Sequence, residues 1–371
     1  MIVVIIYEHN NDFGVDTILK EKKKKVYGKH SRKYEGKLVP KKTHGVYYTT
    51  GNPFVLKPFS SWAEKINLTK LEILEPFAGA NNIIKMLKET GCKSFKSFDI
   101  KPQSPDVKKK DTLKNFPKGF KVCITNPPWL TSYSAKRHGV DFPDIEYDNI
   151  YKHCLGLALQ NCDFVAFIIP GTFLTWTMRT PKFRERLEKI IYINSKLFMD
   201  TDNPVCLALF GSKQVKETRI YNDNKLLGKL DELSKHMPLK LKNGKEMTFN
   251  SDKGNLGLIC IDNTTEASIR FCQANEITRK YEGGKVKARK MKVSDRLLTK
   301  IKVNVGNEEK AIKLLNKRLN SIRKDTHDVF FAPFKGLRKD GRYRRRVDFI
   351  FVRNLIDDCF QKNHKKISDF I

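Results

Sequence analysis

The sequence has no long hydrophobic run. Its longest purely apolar stretch, residues 1–7, is followed at once by Glu8, whereas a membrane-spanning helix needs about 20 apolar residues. A secretory signal would carry basic residues before its apolar stretch, and none precede this one. We therefore expect neither a membrane span nor a secretory signal.

The cysteines include no closely spaced pair. They stand at positions 92, 123, 154, 162, 206, 260, 272 and 359, with no Cys-x-x-Cys motif and no Cys/His cluster at zinc-ligand spacing. Isolated cysteines inside apolar stretches usually act as small core residues in a reducing compartment. We expect a cytosolic or nuclear protein without a structural metal.

Negative charge is scarce relative to positive charge. The 371 residues contain 72 Lys and Arg against 41 Asp and Glu, a formal net charge of +31 at pH 7. Solubility alone requires far less, so the excess predicts a polyanionic partner, with nucleic acid as the first candidate. The length suits two or three domains.

The residue composition and hydrophobic pattern change twice along the chain. Residues 1–44 are polar and lysine-rich and predict a basic extension. Residues 45–211 alternate short apolar runs with helical patterns, which predicts an α/β fold with a parallel sheet buried on both faces. Residues 212–371 are basic and irregular, and we expect a second domain there.

A buried strand at residues 71–74 runs into the turn 75–81, which reads EPFAGAN. Small residues in a turn that opens a helix let a nucleotide-like ligand approach the backbone N–H groups. Asp99 ends the next predicted strand, where a carboxylate can accept hydrogen bonds from ribose hydroxyls. A strand-end cap is the alternative role for Asp99.

The predicted strand 121–125 is followed by Asn126, Pro127, Pro128 and Trp129. Two consecutive prolines hold the backbone extended, so the Asn126 amide and its neighbouring carbonyl project rigidly. Open α/β sheets bind ligands at the carboxyl ends of their strands. An aromatic ring beside a fixed amide acceptor suits a planar amine; the alternative is a Pro-Pro turn with Trp129 in the core.

With these motifs in this order, residues 45–211 resemble the catalytic domain of S-adenosylmethionine-dependent DNA adenine-N6 methyltransferases of restriction-modification type. The order of parts is similar to the gamma arrangement, with the cofactor motif before the catalytic motif and target recognition last. The resemblance implies a Rossmann-like methyltransferase sheet with a C-terminal DNA target-recognition domain over residues 212–371. It also implies S-adenosylmethionine as cofactor, with no metal.

The resemblance assigns a set of residues to the cofactor. Asn81 stands where the family has a second glycine, and asparagine tolerates positive φ well for a non-glycine residue. Near Thr49, Thr50 replaces the proline that usually ends that family element. The implied cofactor-binding residues are Tyr48, Thr49, Glu75, Phe77, Gly79, Asn81, Asp99 and Asp111.

The catalytic residues implied by the resemblance are Asn126, Pro127, Pro128 and Trp129, with Trp129 and Phe198 stacking on a flipped adenine. The Asn126 side-chain oxygen and the Pro127 carbonyl can accept both N–H bonds of the adenine amine, which localises its lone pair for direct in-line methyl transfer. Reaching a base inside a duplex requires extruding it. No general base is needed before the transfer.

The richest basic run of the chain spans residues 335–346. Arginine can read guanine edges and can bind phosphate, so the run predicts a DNA contact, with a solvated basic loop as the alternative. Arg344 and Arg346 would share one face of a strand, with Arg345 opposite. The expected DNA-binding residues are Lys335, Arg338, Lys339, Arg342, Arg344, Arg345 and Arg346.

Several functions stay open at this stage. A methyltransferase acting on RNA, on cytosine N4 or on a protein amide would use a similar motif. A catalytically dead nucleic-acid-binding module is the alternative of a different class, suggested only by Asn81. The expected partners are duplex DNA and a restriction endonuclease acting on the same site, with no membrane. The expected location is the cytoplasm of a bacterium or of a virus-infected host cell, or the nucleus.

Overall fold

The computed structural model describes residue 47 and residues 49–199, 201–240, 244–277 and 298–361. The predicted basic extension over residues 1–44 lies outside these residues, as does Tyr48. No helix among the described residues is long and apolar enough to cross a membrane. All eight cysteines are buried free thiols, as expected for core residues.

The first part of the chain forms one large sheet. Its strands are β1 (Glu72–Glu75), β2 (Ser94–Asp99), β3 (Lys108–Lys109), β4 (Val122–Thr125), β5 (Phe164–Pro170), β6 (Leu187–Ile193), β7 (Val205–Phe210), β8 (Arg219–Asn222) and β9 (Lys225–Lys229). Its helices are α1 (Lys57–Lys65), α2 (Asn82–Glu89), α3 (Ser132–His138), α4 (Ile150–Asn161), α5 (Phe173–Thr177) and α6 (Leu230–Ser234).

The strand order across this sheet is β3-β2-β1-β4-β5-β7-β6-β8-β9. Strands β1 to β5 pair in parallel, and β7 lies antiparallel between β5 and β6. Every residue of β4 and β7 is buried, as a sheet covered on both faces requires. The predicted Rossmann-like α/β fold is confirmed, and the carboxyl ends of β1 to β6 lie along one edge.

The sheet continues beyond the predicted boundary between residues 211 and 212. Strand β8 pairs in parallel with β6, and β9 pairs with β8, so both belong to the large sheet. The helix α6 follows directly, with Leu230 buried in the same hydrophobic cluster as β6. The division into domains at residue 211 stays a prediction, and the sheet itself extends to Lys229.

The remainder of the described chain contains a four-stranded antiparallel sheet in the order β10-β13-β11-β12 and a separate hairpin, β14–β15. The strands are β10 (Met247–Phe249), β11 (Leu256–Ile259), β12 (Arg270–Gln273), β13 (Leu298–Val303), β14 (Ala332–Leu337) and β15 (Tyr343–Arg346). The helices are α7 (Glu308–Asp325) and α8 (Phe349–Gln361). They share a hydrophobic core with this second sheet.

Helix α7 shows why this irregular sequence still folds regularly. The Asn307 side chain accepts a hydrogen bond from the Lys310 N–H at 2.9 Å and caps the helix, and Glu308 and Glu309 occupy its first turn. Its buried apolar residues, Ala311, Leu315, Leu319 and Ile322, recur at helical spacing. The low density of apolar residues between them hides this pattern in a basic sequence.

The hairpin packs against the large sheet at the carboxyl end of β6. The Tyr343 hydroxyl donates to the carbonyl of Ile193, the last residue of β6, at 3.1 Å. The Arg345 guanidinium lies 5.3 Å from the centre of the Tyr192 ring. The hairpin therefore sits on the edge of the sheet that also carries the carboxyl end of β4.

Candidate active site

The turn after β1 adopts the backbone conformation that its residues favour. Gly79 has φ 48° and Asn81 has φ 64°, and α2 begins immediately afterwards. The Gly79 N–H donates to Oδ2 of Asp99 at 2.8 Å, and the Asn81 Oδ1 accepts from the buried Ser97 hydroxyl at 2.9 Å. With the Ala78 N–H donating to the Phe98 carbonyl at 2.9 Å, three bonds to β2 hold the turn, and asparagine occupies the left-handed conformation as the sequence predicted.

Two carboxylates stand at the carboxyl ends of β2 and β3. Asp99 accepts backbone N–H groups on both oxygens, from Gly79 and from Lys101 at 2.7 Å. Asp111 accepts one backbone bond, from Lys114 at 3.2 Å, and its side chain is 32% exposed. Asp99 thus caps the strand end, and Asp111 keeps accepting capacity toward solvent.

Glu75, the last residue of β1, is completely buried beside this turn. Its Oε1 accepts from the Thr125 hydroxyl at 2.5 Å and from the Phe77 N–H at 3.3 Å. Its Oε2 has no partner among the described residues. Burial, together with the negative charge of Asp99, raises the pKa of Glu75 to about 8, so the carboxyl group is mostly protonated at neutral pH.

Asn126 follows β4 directly and is held by a distant segment of the chain. Its Nδ2 donates to the main-chain carbonyl of Tyr47 at 2.8 Å. Its Oδ1 is buried and has no partner among the described residues. An unsatisfied buried acceptor costs about 1–3 kcal/mol, which makes a functional role the natural explanation for it. Pro127 and Pro128, buried and half-buried, follow directly.

Three aromatic rings surround the Asn126 motif. Trp129 lies 5.1 Å from Phe198 between ring centres, at 80° between planes, and 5.3 Å from Tyr47. A base held between two flat faces needs about 7 Å between them. The edge-on contact of Trp129 with Phe198 leaves no such gap, so the predicted stacking requires Phe198 to move.

The segment around Thr49 connects the turn to the aromatic cluster. The Asn82 side chain donates to the Thr49 carbonyl at 3.0 Å, and Thr49 forms an isolated bridge with Phe198. The Thr50 N–H donates to the Leu197 carbonyl at 2.7 Å. Thr49 therefore lies between the start of α2 and the loop before β7.

Sequence reasoning missed several residues of this site. Tyr47 contributes both an aromatic ring and the carbonyl that orients Asn126, while Thr125 and Ser97 bind Glu75 and Asn81 through their hydroxyls. No local pattern marks a main-chain carbonyl or a single strand hydroxyl as functional. The hydroxyl residues Ser97 in β2 and Thr125 in the buried strand β4 were the available signal.

The basic run divides into buried and exposed residues, which separates Arg338 and Arg345 from the others. Arg338 donates to Asp262 at 2.9 Å and to Asp340 at 2.7 Å, and Arg345 donates through Nη1 to the Phe331 carbonyl at 3.2 Å. Both arginines are buried, and Asp262 is completely buried. A DNA contact by either side chain would break these bonds, so we assign both to the structure of the hairpin.

The other basic residues of the run remain accessible. Lys335, Lys339 and Arg342 are exposed. Arg344 and Arg346 are half-buried, and Arg344 lies over the Phe334 ring at 5.2 Å. The predicted alternation is confirmed, since Arg345 points to the opposite, buried side from its two neighbours.

No family model matches the sequence, and no curated protein matches it. Among solved structures, the chain is similar to a protein described as the modification subunit of a type I restriction enzyme from Vibrio vulnificus YJ016, at 15% identity and a TM-score of 0.36 over 48% of this chain and 47% of that one. It is also similar to a type I restriction-modification methyltransferase subunit from Streptococcus thermophilus, at 13% identity and a TM-score of 0.35 over 48% of this chain and 49% of that one.

A third similar structure is a protein from Pyrococcus horikoshii described as an RNA methyltransferase, at 14% identity and a TM-score of 0.35 over 49% of this chain and 94% of that one. The chain thus spans about half the length of the two restriction-modification proteins. In each of the three comparisons, the match covers about half of this chain.

Proposed function

We propose that this protein is a methyltransferase that uses S-adenosylmethionine to methylate adenine N6 at specific sites in duplex DNA. The observation that carries the proposal is the buried, unsatisfied Oδ1 of Asn126, beside Trp129 at the carboxyl end of β4. This acceptor lies on the same sheet edge as the turn at Gly79. Ligands of open α/β sheets bind along such an edge.

The residues at the ends of β1, β2 and β3 suit a cofactor with ribose, adenine and amino-acid groups. Asp99 and Asp111 offer carboxylate acceptors for hydroxyl and amine groups, and Glu75 has an unpartnered oxygen in the same region. The proposed cofactor site also includes Thr49, Phe77, Gly79 and Asn81. When bound, S-adenosylmethionine supplies an electrophilic methyl group. The intact left-handed turn at Asn81 argues against a dead module.

Asn126 and the Pro127 carbonyl orient the substrate amine. Each accepts one of its N–H bonds, so the nitrogen lone pair is directed away from the base plane. Pre-positioned acceptors of this kind supply much of the rate enhancement, since they need no reorganisation during the reaction. Positive charge that develops on the amine is stabilised by the π face of Trp129, by about 1–2 kcal/mol in a dry pocket. The excess proton then leaves to a carboxylate or to water.

Phe198 and Trp129 must separate to admit a flat base, and Phe198 lies in the loop between β6 and β7. Extruding a base from a duplex costs a few kcal/mol, which stacking on these rings helps to recover. In this scheme the edge-on contact of the two rings is the closed form of the pocket, and the extruded base replaces it with two face-on contacts.

Duplex DNA is the substrate that the charge favours. The net charge is +31, and the exposed Lys335, Lys339 and Arg342 lie on a hairpin that packs at the carboxyl end of β6. Basic side chains beside the pocket suit the phosphate groups that flank an extruded base. A restriction endonuclease acting on the same site is the partner that this activity implies.

The test is to incubate the protein with labelled S-adenosylmethionine and separate pools of duplex DNA, RNA and protein, followed by analysis of the modified nucleosides. We expect label in N6-methyladenine from DNA, and a transfer rate lowered by about two to three orders of magnitude with Asn126→Ala. Label in N4-methylcytosine, in RNA or in protein would show that the substrate is not adenine in DNA. No transfer to any pool would contradict the proposal that the protein is a methyltransferase.

A further inference from the structure

Lysines are concentrated around β3, at the opposite end of the large sheet from β9. Residues 85–121 contain eleven lysines, no arginine and four acidic residues. We call the exposed members of this group at the β2 and β3 ends the lysine edge: Lys101, Lys108, Lys109 and Lys114. Neither the cofactor site nor the catalytic site proposed for this protein uses them.

The positive charges of the lysine edge outnumber the acidic groups around them. Residues 99–114 contain five lysines against three acids, Asp99, Asp106 and Asp111. Within the described residues, the one ion pair of the edge joins Lys114 to Asp111 at 3.9 Å, and Lys114 is 86% exposed. Screened surface pairs of this length contribute little, so a positive potential remains at this edge.

Protection of the sheet edge explains only part of this pattern. Lys108 and Lys109 form β3, the terminal strand, and lysine on a terminal strand discourages pairing with another chain. Lys101 and Lys114 lie outside any strand, where they protect no unpaired backbone. Protection of the sheet edge therefore does not explain why lysines occur at these positions.

The strand order puts Asn126 midway between the lysine edge and the hairpin. Strand β4 is three positions from β3 on one side and three from β6, where the hairpin packs, on the other. Neighbouring strands lie about 4.8 Å apart, so each flank is about 14 Å from β4 and the whole span is about 29 Å. At about 3.4 Å per base pair, this corresponds to roughly eight base pairs of duplex.

We propose that the lysine edge binds the phosphodiester backbone of duplex DNA on the side of the target base away from the hairpin. The inference rests on the proposed function. Lysine presents a compact charge without the planar fork with which arginine reads guanine, so this contact would be independent of sequence. The enzyme would then hold the duplex on both sides of the extruded base, with the hairpin on the flank that carries arginine.

The experiment neutralises Lys101, Lys108 and Lys109 together with glutamine. The matched control removes the same charge from the exposed face of α7, with Lys310, Lys317 and Lys324 changed to glutamine. Binding to a 30-base-pair duplex is followed by fluorescence anisotropy over a range of salt concentrations, after both variants have been shown to unfold at the temperature of the parent.

We expect the slope of log affinity against log salt to fall by about 0.9 for each phosphate that the first variant no longer neutralises, and to stay unchanged in the control. In methylation assays on an unmethylated duplex substrate, the first variant should raise KM for the duplex and leave kcat unchanged. Equal effects in the two variants, or no effect in the first, overturn the inference while DNA methylation by the parent stands. A parent that neither binds nor methylates duplex DNA removes the proposed function and the inference with it.

Discussion

The Nδ2 atom of Asn126 donates a hydrogen bond to the main-chain carbonyl of Tyr47 at 2.8 Å, across 79 positions of the chain. Because the amide can donate there only through its nitrogen, its oxygen is left as the free acceptor. The Tyr47 ring also contacts Trp129 and Phe198, at 5.3 and 6.2 Å between centres. One residue therefore orients the proposed catalytic acceptor and packs against the rings that would hold the base.

We predict that Asn126→Ala lowers methyl transfer by about two to three orders of magnitude, as removal of a pre-positioned hydrogen-bonding group does in other enzymes. Cofactor affinity should stay near that of the parent, because this amide acts on the target amine. Asn126→Asp keeps the size of the side chain but places a carboxylate oxygen against the Tyr47 carbonyl, so its rate should also fall. Single-turnover rates and cofactor titration measure both; a matching loss of cofactor affinity would refute the role.

Asp99→Ala and Asp111→Ala should each weaken cofactor binding by about 1–3 kcal/mol because charge-assisted hydrogen bonds are removed. The two variants should differ in stability, because Asp99 also accepts the Gly79 and Lys101 N–H groups, whereas Asp111 accepts a single exposed one. Calorimetric titration and thermal unfolding separate the two effects. Parent-like cofactor binding in both variants would mean that the ribose and adenine assignments are wrong.

The positions of Glu75, Asp99 and Asn126 could be predicted from sequence because each lies at the carboxyl end of a short strand, and parallel strands bring such ends to one edge. The bond between Asn126 and Tyr47 could not, since it joins a side chain to a distant main-chain carbonyl. The extent of the sheet beyond residue 211 was missed because β8 and β9 are short and rich in polar residues.

The basic hairpin illustrates a second limit of sequence reasoning. Arg338 and Arg345 carry the same charge as their exposed neighbours, and nothing in the run itself distinguishes them. Arg338 is buried against Asp262, which lies 76 positions earlier and accepts from its guanidinium. The Arg345 guanidinium donates to the Phe331 carbonyl and lies over the Tyr192 ring. A buried arginine is stable only where such a partner exists, and the partner is visible only in three dimensions.

Glu75 predicts a pH dependence of stability. Its pKa is about 8 in the folded protein against an ordinary value of 4.5, so between these values the folded state holds a proton that the unfolded chain has released. Its contribution to stability is fully present below pH 4.5 and is lost as the pH rises to about 8. Glu75→Gln cannot titrate and should flatten this decline, which denaturant unfolding at pH 5, 7 and 9 measures. Parallel curves for parent and variant would show that the carboxyl group is not protonated in the fold.

Substitutions in the hairpin should distinguish the arginines that stabilise the fold from the basic residues proposed to bind DNA. Arg338→Ala leaves the completely buried Asp262 with one partner fewer, and breaking a buried pair in this way costs about 3–5 kcal/mol. Arg323 still pairs with Asp262 at 2.8 Å, so the loss should fall near the lower end. Denaturant unfolding measures it, and a loss below about 1 kcal/mol would contradict the buried network.

Neutralising Lys335, Lys339 and Arg342 together should leave unfolding unchanged and weaken binding to all duplexes, with the salt slope reduced by about 0.9 for each phosphate left without a cationic partner. These side chains are exposed, so their removal disturbs no packing. An affinity loss confined to one sequence would indicate that Arg342 reads a base edge. Unchanged affinity and unchanged slope would show that the exposed run is a solvated loop.

Asn81 offers a test of the turn itself. Its φ of 64° would suit glycine better, but its side chain accepts from the Ser97 hydroxyl at 2.9 Å, with both residues buried. Asn81→Gly gains backbone freedom in the left-handed region and leaves the Ser97 hydroxyl without this acceptor, so the two effects should nearly cancel, each being about 1 kcal/mol.

The cycle of Asn81→Gly, Ser97→Ala and the double variant should therefore give a coupling energy of about 1 kcal/mol in denaturant unfolding. Cofactor binding should survive in Asn81→Gly and fail in Asn81→Val, because a β-branched residue is strongly disfavoured at positive φ. The backbone of the turn, and not the asparagine side chain, would then be what the cofactor requires. Loss of cofactor binding in Asn81→Gly, with unfolding unchanged, would instead mean that the Asn81 side chain contacts the cofactor directly.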